Sequence, residues 1–124
     1  MFFETKNGMK PHPFTHNIYT ALVVPRPIGW ISTVNTEGIV NLAPFSFFNA
    51  VSYSPPTVMF SAGMGSADDR TKDSARNVES SGEFVCNLAN WETREQMNQS
   101  SATLPPETDE IELVKLTPIA SSLI

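Results

Sequence analysis

One short polar segment carries the groups that could bind an anion. Positions 66–77, SADDRTKDSARN, begin with residues that favour the start of a helix and continue with Arg70, Lys72 and Ser74. The first turn of a helix has unpaired N–H groups and a partial positive charge, which suits a phosphate. The cationic side chains and the hydroxyl would strengthen such a site. The same residues also allow an ordinary capped surface helix, and three aspartates in the segment would oppose an anion unless some of them face away.

The most aromatic segment contains polar side chains that need a partner. It reads NLAPFSFFNAVSYSPP over positions 41–56, with Ser46 and Asn49 among the phenylalanines. Buried polar groups are costly without hydrogen bonds. These two side chains either cap a turn by bonding their own backbone or line a cleft with aromatic walls. The cleft would suit a flat heteroaromatic ligand, which needs apolar faces and a few donors and acceptors at its edge.

The other residues that could do chemistry favour packing over catalysis. His12 and His16 are four positions apart, but the prolines beside His12 disfavour the helix that would let them share a metal, so we expect no metal site. Cys86 lies in the alternating segment EFVCNLA and is expected in the core, and Trp30 and Trp91 are expected to be packing residues. The sequence contains neither a glycine-rich nucleotide loop nor a serine-nucleophile motif.

Strand and turn patterns dominate the first half of the sequence. IGWISTV and IVNLAPF flank the turn NTEG, which predicts a β-hairpin over 28–45, and further strands are expected at IYTALVVP, PPTVMFSAG and EFVCNLA. A helix is expected to end at Gly82, in the C′ position that glycine favours. Thr93 and Gln96 match a capping box, so a short helix is expected to start there.

Composition and charge exclude several classes of protein. The chain has 124 residues, 40% of them hydrophobic and 17% charged, which indicates one globular domain over residues 1–124. A net charge of −5 argues against a nucleic-acid-binding protein. No apolar run is long enough for a membrane helix, and the N-terminus does not match a secretory signal. Because the single cysteine suits a reducing compartment, we expect a cytoplasmic protein.

Three blocks, taken in order, resemble a known family. RPIGWISTVNTEG, NLAPFSFFNAVSYSPPTVMFS and RTKDSARNV are similar to segments of the flavin reductase-like family of FMN-binding split β-barrel proteins, and the resemblance covers roughly residues 19–88. It implies a mainly β, Greek-key-like split barrel with short peripheral helices. Family domains are typically longer, so the resemblance also implies that the C-terminal part of the domain is missing here.

The resemblance implies a set of cofactor-binding residues. In the family the NxAPFSxFN stretch lies against the flavin, so residues 43–45 would border the isoalloxazine ring. Ser46, Phe48 and Asn49 would contact the ring edge or the ribityl chain. The KDS block would be the phosphate end, with an ammonium group and a hydroxyl donor. The residues implied in FMN binding are Arg26, Thr33, Ala43, Pro44, Phe45, Ser46, Phe48, Asn49, Lys72, Asp73 and Ser74.

The function implied by the resemblance is hydride transfer from NADH or NADPH to the flavin. The cofactor carries that reaction and the protein positions it, so we expect no catalytic acid or base. FMN rather than FAD is the habit of the family. A flavin-binding electron carrier and a split-barrel remnant without activity are the alternatives. The missing closing strands would leave sheet edges unpaired, which predicts a homodimer.

Overall fold

Two antiparallel sheets and several short helices make up the part of the chain that the computed structural model describes, namely residue 4 and residues 12–63, 72–105 and 107–123. Strands β2, β1 and β5 form the larger sheet in that order, and β3 pairs with β4 in the smaller one. In chain order the elements are α1 (Ile18–Leu22), β1 (Gly29–Val34), β2 (Val40–Phe45), β3 (Phe48–Ser52), β4 (Thr57–Phe60), α2 (Asp73–Ser81), β5 (Val85–Asn87), α3 (Arg94–Gln99) and α4 (Glu110–Leu113).

The predicted hairpin is confirmed and supplies two of the three strands of the larger sheet, with β1 in the centre. Strands β1 and β2 pair in register from Gly29 opposite Phe45 to Val34 opposite Val40. The side chain of Asn35 closes the turn, because its Oδ1 accepts hydrogen bonds from two backbone N–H groups of the turn, each at 2.9 Å. The turn glycine has φ +84°, a conformation that favours glycine over other residues.

Helix α2 ends where the sequence predicts. Gly82 has φ +76° and donates its N–H to the carbonyl of Val78 at 2.8 Å, which stops the helix with a left-handed residue. The helix packs on β1 and β2. The chain then enters β5, which pairs with β1 through three residues, from Trp30 opposite Asn87 to Ser32 opposite Val85.

Buried apolar residues lie on both faces of the larger sheet, with Ile31 and Phe45 on the face that carries α2 and a cluster on the opposite face. Trp30, Leu42 and Val114 are buried there, and the partly buried apolar side chains Ala89, Met97, Ile111 and Leu116 pack around them. The indole Nε1 of Trp30 donates to the Ser100 hydroxyl at 2.9 Å, so the buried ring has its polar group satisfied. Since Trp30 and Ser100 are far apart in sequence, this contact ties the region of α3 to the sheet.

The strand predicted at IYTALVVP is wrong. Residues 18–22 form the short helix α1 instead, because the side chain of Asn17 caps it by accepting the N–H of Thr20 at 3.2 Å. Val23 and Val24 follow the helix and are exposed. The conformation of this segment is therefore set by the local helix cap, although its β-branched residues favour strands.

Three side chains differ from their sequence-based predictions. Cys86 is exposed rather than buried, because β5 is a three-residue edge strand. Trp91 is 73% exposed and lies under the guanidinium of Arg94, 4.0 Å from the ring centroid. Thr93 does begin α3, but it makes no capping hydrogen bond to the helix. Its hydroxyl and backbone bond Asn90 instead.

Candidate functional site

Two buried polar pairs fix α2 against the hairpin. The side-chain amide of Asn77 donates to the Thr33 hydroxyl at 3.0 Å, and that of Asn41 donates to the Ser74 hydroxyl at 3.0 Å. Thr33 and Asn41 are cross-strand neighbours, and none of the four side chains is more than 8% exposed. Because buried polar groups need partners, these bonds set both the position and the rotation of the helix.

The start of α2 lies beside an aromatic ring of the sheet. Lys72 precedes the helix and makes no capping hydrogen bond with its side chain, so the first N–H groups of α2 have no cap from that side chain. The Lys72 ammonium lies 5.5 Å from the centroid of the Phe45 ring, a cation–π contact that keeps it near the sheet. Behind it, Phe45 packs on Phe60, which packs on Phe84, with centroids 5.0 Å apart in each pair.

Asp73 begins the helix and is engaged locally. Its carboxylate forms an ion pair with the Arg76 guanidinium one turn further along. The pair cancels most of the charge that the aspartate would place near an anion. Arg70, which the sequence also suggests as a cation for this site, lies outside the described residues.

Arg26 links α1 to the segment between β2 and β3. Its Nε donates to the Ser46 hydroxyl at 3.1 Å, and its Nη1 donates to the backbone carbonyls of Thr20 and Val23 at the end of α1. The guanidinium also lies 5.5 Å from the centroid of the Phe47 ring. Arg26 therefore holds α1 against the corner between β2 and β3, next to the segment predicted to border the flavin.

The residues predicted to contact the flavin ring lie around the end of β2 and the start of β3, but they do not share one face. Phe45 and Ala43 lie on the face that carries α2, whereas Pro44 is paired with Trp30 on the core face. Phe48 packs over Gly29, and Asn49 is exposed on β3. The structure thus brings Phe45 together with Lys72, and Arg26 together with Ser46. It buries Thr33 of β1 and Ser74 of α2 between the helix and the sheet.

Two cavities lie on opposite sides of the larger sheet. A polar cleft of about 290 Å³ lies between α2 and the hairpin turn, and Asp73 is the member of the predicted set that lines it. A wider groove of about 880 Å³ runs along the core face of the sheet, opposite α2, and its lining includes Thr33, Phe84 and Leu116. The segment of β2 and β3 predicted to border the flavin does not line either of these cavities.

Three structural residues were missed by the sequence reading. Asn41 and Asn77 hold α2, and Asn77 lies three residues after Ser74, a helical spacing that could have revealed a polar buried face. Glu110 is 8% exposed and accepts the backbone N–H of Leu42 at 3.2 Å. Burial raises the pKa of its carboxyl group, and the nearby Asp73 and Asp109 carboxylates raise it further, while hydrogen bonds from backbone N–H groups act in the opposite direction. No local signal marks Glu110 in the sequence.

Two features are absent from the described ranges. Within them no group of three or more histidine, cysteine, aspartate or glutamate side chains could hold a metal ion. Within the same ranges, no helix has both the length and the apolar character that a membrane crossing requires.

Comparison with known proteins identifies the family. The model of the flavin reductase like domain matches residues 21–123. A protein of Aquifex aeolicus (strain VF5) is 44% identical over 110 residues, which are 88% of this chain and 55% of that protein. Protein YwrF of Bacillus subtilis (strain 168) is 36% identical over 110 residues, which are 89% of this chain and 53% of that protein. Both relatives are uncharacterized, and the chain spans about half the length of each.

Solved structures show the same fold. Component B of nitrilotriacetate monooxygenase from Bacillus cereus matches all of this chain and 60% of its own, with a TM-score of 0.84 and 36% identity. The 2-nitrobenzoate 2-nitroreductase NbaA of Pseudomonas fluorescens matches with a TM-score of 0.75 and 23% identity, and therefore supports the fold alone. The chain belongs to the flavin reductase-like domain family. The predicted family and the mainly β split-barrel fold with short helices are confirmed.

Proposed function

We propose that this chain is the flavin-binding part of an oxidoreductase and that its cofactor is FMN. The observation that carries the proposal is the start of α2, where the Lys72 ammonium lies 5.5 Å from the Phe45 ring centroid, beside helix N–H groups that its side chain does not cap. A cation next to the N–H donors of a helix start suits a phosphate. The phosphate of FMN would provide the charge, and its ring system would lie towards the aromatic end of β2.

The described residues fit such a cofactor. The side chains at the end of β2 and the start of β3 offer apolar surface from Ala43 and Phe45 and polar groups from Ser46 and Asn49. The Nε of Arg26 donates to the Ser46 hydroxyl at 3.1 Å, which orients this hydroxyl for contact with the edge of a ring. The buried pairs of α2 keep the helix start in a fixed position relative to β2. Preorganisation of this kind lowers the entropic cost of binding.

When bound, the flavin would supply the redox chemistry, by accepting a hydride from NADH or NADPH. The chain's own residues would bind and orient it. Lys72 would neutralise the phosphate, and the helix N–H groups would donate to it. Since none of the predicted contacts is proposed to transfer a proton, truncation of one of them should weaken flavin affinity before it changes the rate of a saturated enzyme. The family assignment supports the flavin, and the choice of nicotinamide donor is part of the proposal.

The test compares FMN with riboflavin, which lacks the phosphate. We expect Lys72→Ala to weaken FMN binding by about tenfold to 150-fold, because a hydrogen bond to a charged group contributes roughly 1.5–3 kcal/mol. Riboflavin binding should change little. Fluorescence quenching of each flavin gives the two affinities. Lys72→Arg keeps the charge and should retain most of the preference for FMN, and Arg94→Ala, which removes a cation from α3, is the matched control.

Two outcomes would refute parts of the proposal. Equal losses for FMN and riboflavin would remove Lys72 from the phosphate site. If the unaltered protein quenches the fluorescence of neither flavin, the chain by itself is not a flavin-binding unit.

A second assay separates a reductase from an electron carrier. It measures the oxidation of NADH or NADPH with added FMN, because a carrier would bind FMN without accelerating that oxidation.

We further propose that the protein is cytoplasmic, as its single cysteine suggests. We also propose that the chain forms a homodimer. The β3–β4 hairpin supports this, since a two-stranded sheet is marginally stable in water without further packing. It exposes Val51, Tyr53, Val58 and Met59, and Tyr53 is 96% exposed. Sedimentation equilibrium should show a dimer, which Met59→Lys together with Val51→Lys should dissociate. A stable folded monomer at every concentration would contradict the dimer.

A further inference from the structure

A buried carboxyl group on α4 lies near the start of α2 but outside the set of residues predicted to bind FMN. Glu110 is the first residue of α4 and is 8% exposed. Its Oε2 accepts a hydrogen bond from the backbone N–H of Leu42 at 3.2 Å. Because β2 is an end strand of the larger sheet in the described part of the chain, this carboxyl group occupies an edge position that a further strand would otherwise cover.

Two consecutive residues of β2 connect this carboxyl group to the start of α2. The first connection is the hydrogen bond between Leu42 and Glu110. The second comes from Asn41, whose side-chain amide donates at 3.0 Å to the hydroxyl of Ser74, the second residue of α2. Asn41 and Ser74 are both buried. Since water and salt screen a charge among buried groups less than an exposed charge, a charge on Glu110 acts at the first turn of α2.

The charged groups that act on Glu110 are acidic. Asp109 precedes it in the chain, and Asp73 lies at the start of α2, where its carboxylate is paired with the Arg76 guanidinium. Strand β2, on which α4 packs, has the sequence VNLAPF and carries no charged side chain. Burial raises the pKa of Glu110 and the two aspartates raise it further, whereas hydrogen bonds from backbone N–H groups lower it. The carboxyl group therefore gains its charge at a higher pH than an exposed glutamate does.

We propose that Glu110 is a specificity-determining residue whose charge sets how strongly the start of α2 prefers FMN to riboflavin, so that this preference depends on pH. The inference rests on the flavin site proposed above. While Glu110 is protonated, a phosphate at the start of α2 meets the Lys72 ammonium and the helix N–H groups. Once Glu110 is ionised, its negative charge repels the phosphate. Riboflavin lacks the phosphate, so its affinity does not depend on this charge.

The first test measures FMN and riboflavin affinities by fluorescence quenching, for the unaltered protein and for Glu110→Gln. Glutamine keeps an acceptor for the Leu42 N–H group but cannot ionise. At pH 4.5, the ordinary pKa of a glutamate, the two proteins should prefer FMN to a similar degree. At about pH 8 the preference of the unaltered protein should be lower than that of Glu110→Gln by roughly twofold to tenfold. The phosphate of FMN itself titrates near pH ~6, and this effect cancels because it is common to both proteins.

The matched control is Glu112→Gln, which removes the same charge from an exposed position on α4. Because water and salt screen an exposed charge, this variant should keep the FMN preference of the unaltered protein at each pH. An increase equal to that of Glu110→Gln would show that the net charge of the protein matters rather than the buried carboxyl group, and would overturn the inference.

A second measurement needs no variant, because the coupling between two equilibria is reciprocal. The side-chain carboxyl resonance of Glu110 in ¹³C-labelled protein reports its titration. Saturating FMN should raise the pKa of Glu110, whereas saturating riboflavin should leave it unchanged.

The outcomes separate this inference from the proposed function. If FMN binds in preference to riboflavin, but that preference is the same in the unaltered protein and Glu110→Gln at every pH, Glu110 has no such role and the flavin site stands. A pKa of Glu110 that FMN leaves unchanged has the same meaning. If the unaltered protein quenches neither flavin, the flavin site fails and this inference fails with it.

Discussion

Replacement of Gly29 by alanine should destabilise the protein through one identifiable contact. Gly29 is buried at the start of β1, and the ring of Phe48 packs directly over it. A Cβ atom at this position would lie 2.6 Å from Cγ and 2.9 Å from Cε2 of Phe48, which is closer than real Cβ contacts come. Either the ring or the strand has to move. The absence of a side chain at Gly29 is therefore what lets β3 begin against β1.

The expected change in the free energy of unfolding of Gly29→Ala is the difference between two opposing effects. Overpacking of a well-packed site costs about 1–3 kcal/mol. Alanine in place of glycine within a strand recovers roughly 0.5–1 kcal/mol of conformational entropy. We expect Gly29→Ala to lower the free energy of unfolding by about 1–2 kcal/mol, which for a chain of this size lowers Tm by roughly 3–10 °C.

A double-mutant cycle identifies the source of the strain. Phe48→Ala removes the ring, and in that background Gly29→Ala should be neutral or slightly stabilising, since only the entropic gain remains. Urea unfolding of the unaltered protein, both single variants and the double variant gives the coupling energy. A Gly29→Ala penalty of equal size with and without the Phe48 ring would refute the reasoning. Because Phe48 also belongs to the proposed flavin site, FMN affinity should fall in Gly29→Ala as well.

The remaining predictions concern two side chains whose environments only the structure shows. The folded-state pKa of Glu110 is raised by burial above its ordinary value of 4.5, so the stabilisation it contributes is present below that value and is lost as the pH rises through the folded-state pKa. As the pH rises from 4.5 through the folded-state pKa, the free energy of unfolding of the unaltered protein should fall relative to that of Glu110→Gln. Parallel pH profiles of the two proteins in urea unfolding would contradict this. Cys86 is exposed, so Ellman's reagent should modify it in the folded protein, more slowly than a fully solvated thiol at neutral pH because burial raises its pKa. Modification that requires urea would restore the prediction of a core cysteine.

Local signals account for the parts of the fold that were predicted correctly. The turn of the hairpin depends on Asn35 and a glycine with positive φ, and the end of α2 depends on Gly82. Each of these features is decided within a few residues. The same kind of local interaction also explains the error at residues 18–25, where a single Asn17 cap outweighed a run of strand-forming residues.

The candidate site could be predicted only as a set of residues, not as an arrangement. The sequence indicated that residues 43–49 and the KDS block matter together, and the structure places Lys72 over Phe45. The sequence did not indicate that Thr33 and Ser74 are buried between α2 and the sheet, because their partners are 44 and 33 positions away in the chain. Contacts at such separations depend on how α2 packs on the sheet, which no short pattern specifies.

By itself, the sequence determined the family, the hairpin and the end of α2, since these depend on residue types at fixed short spacings. Only the tertiary structure decided which side of the sheet each residue faces, which polar groups are buried with partners, and which apolar residues remain exposed, as Cys86 and Trp91 do. The physical reason is that burial is a property of whole layers. A side chain is buried only where another element covers it, and the covering elements α2, α3 and α4 come from distant parts of the chain.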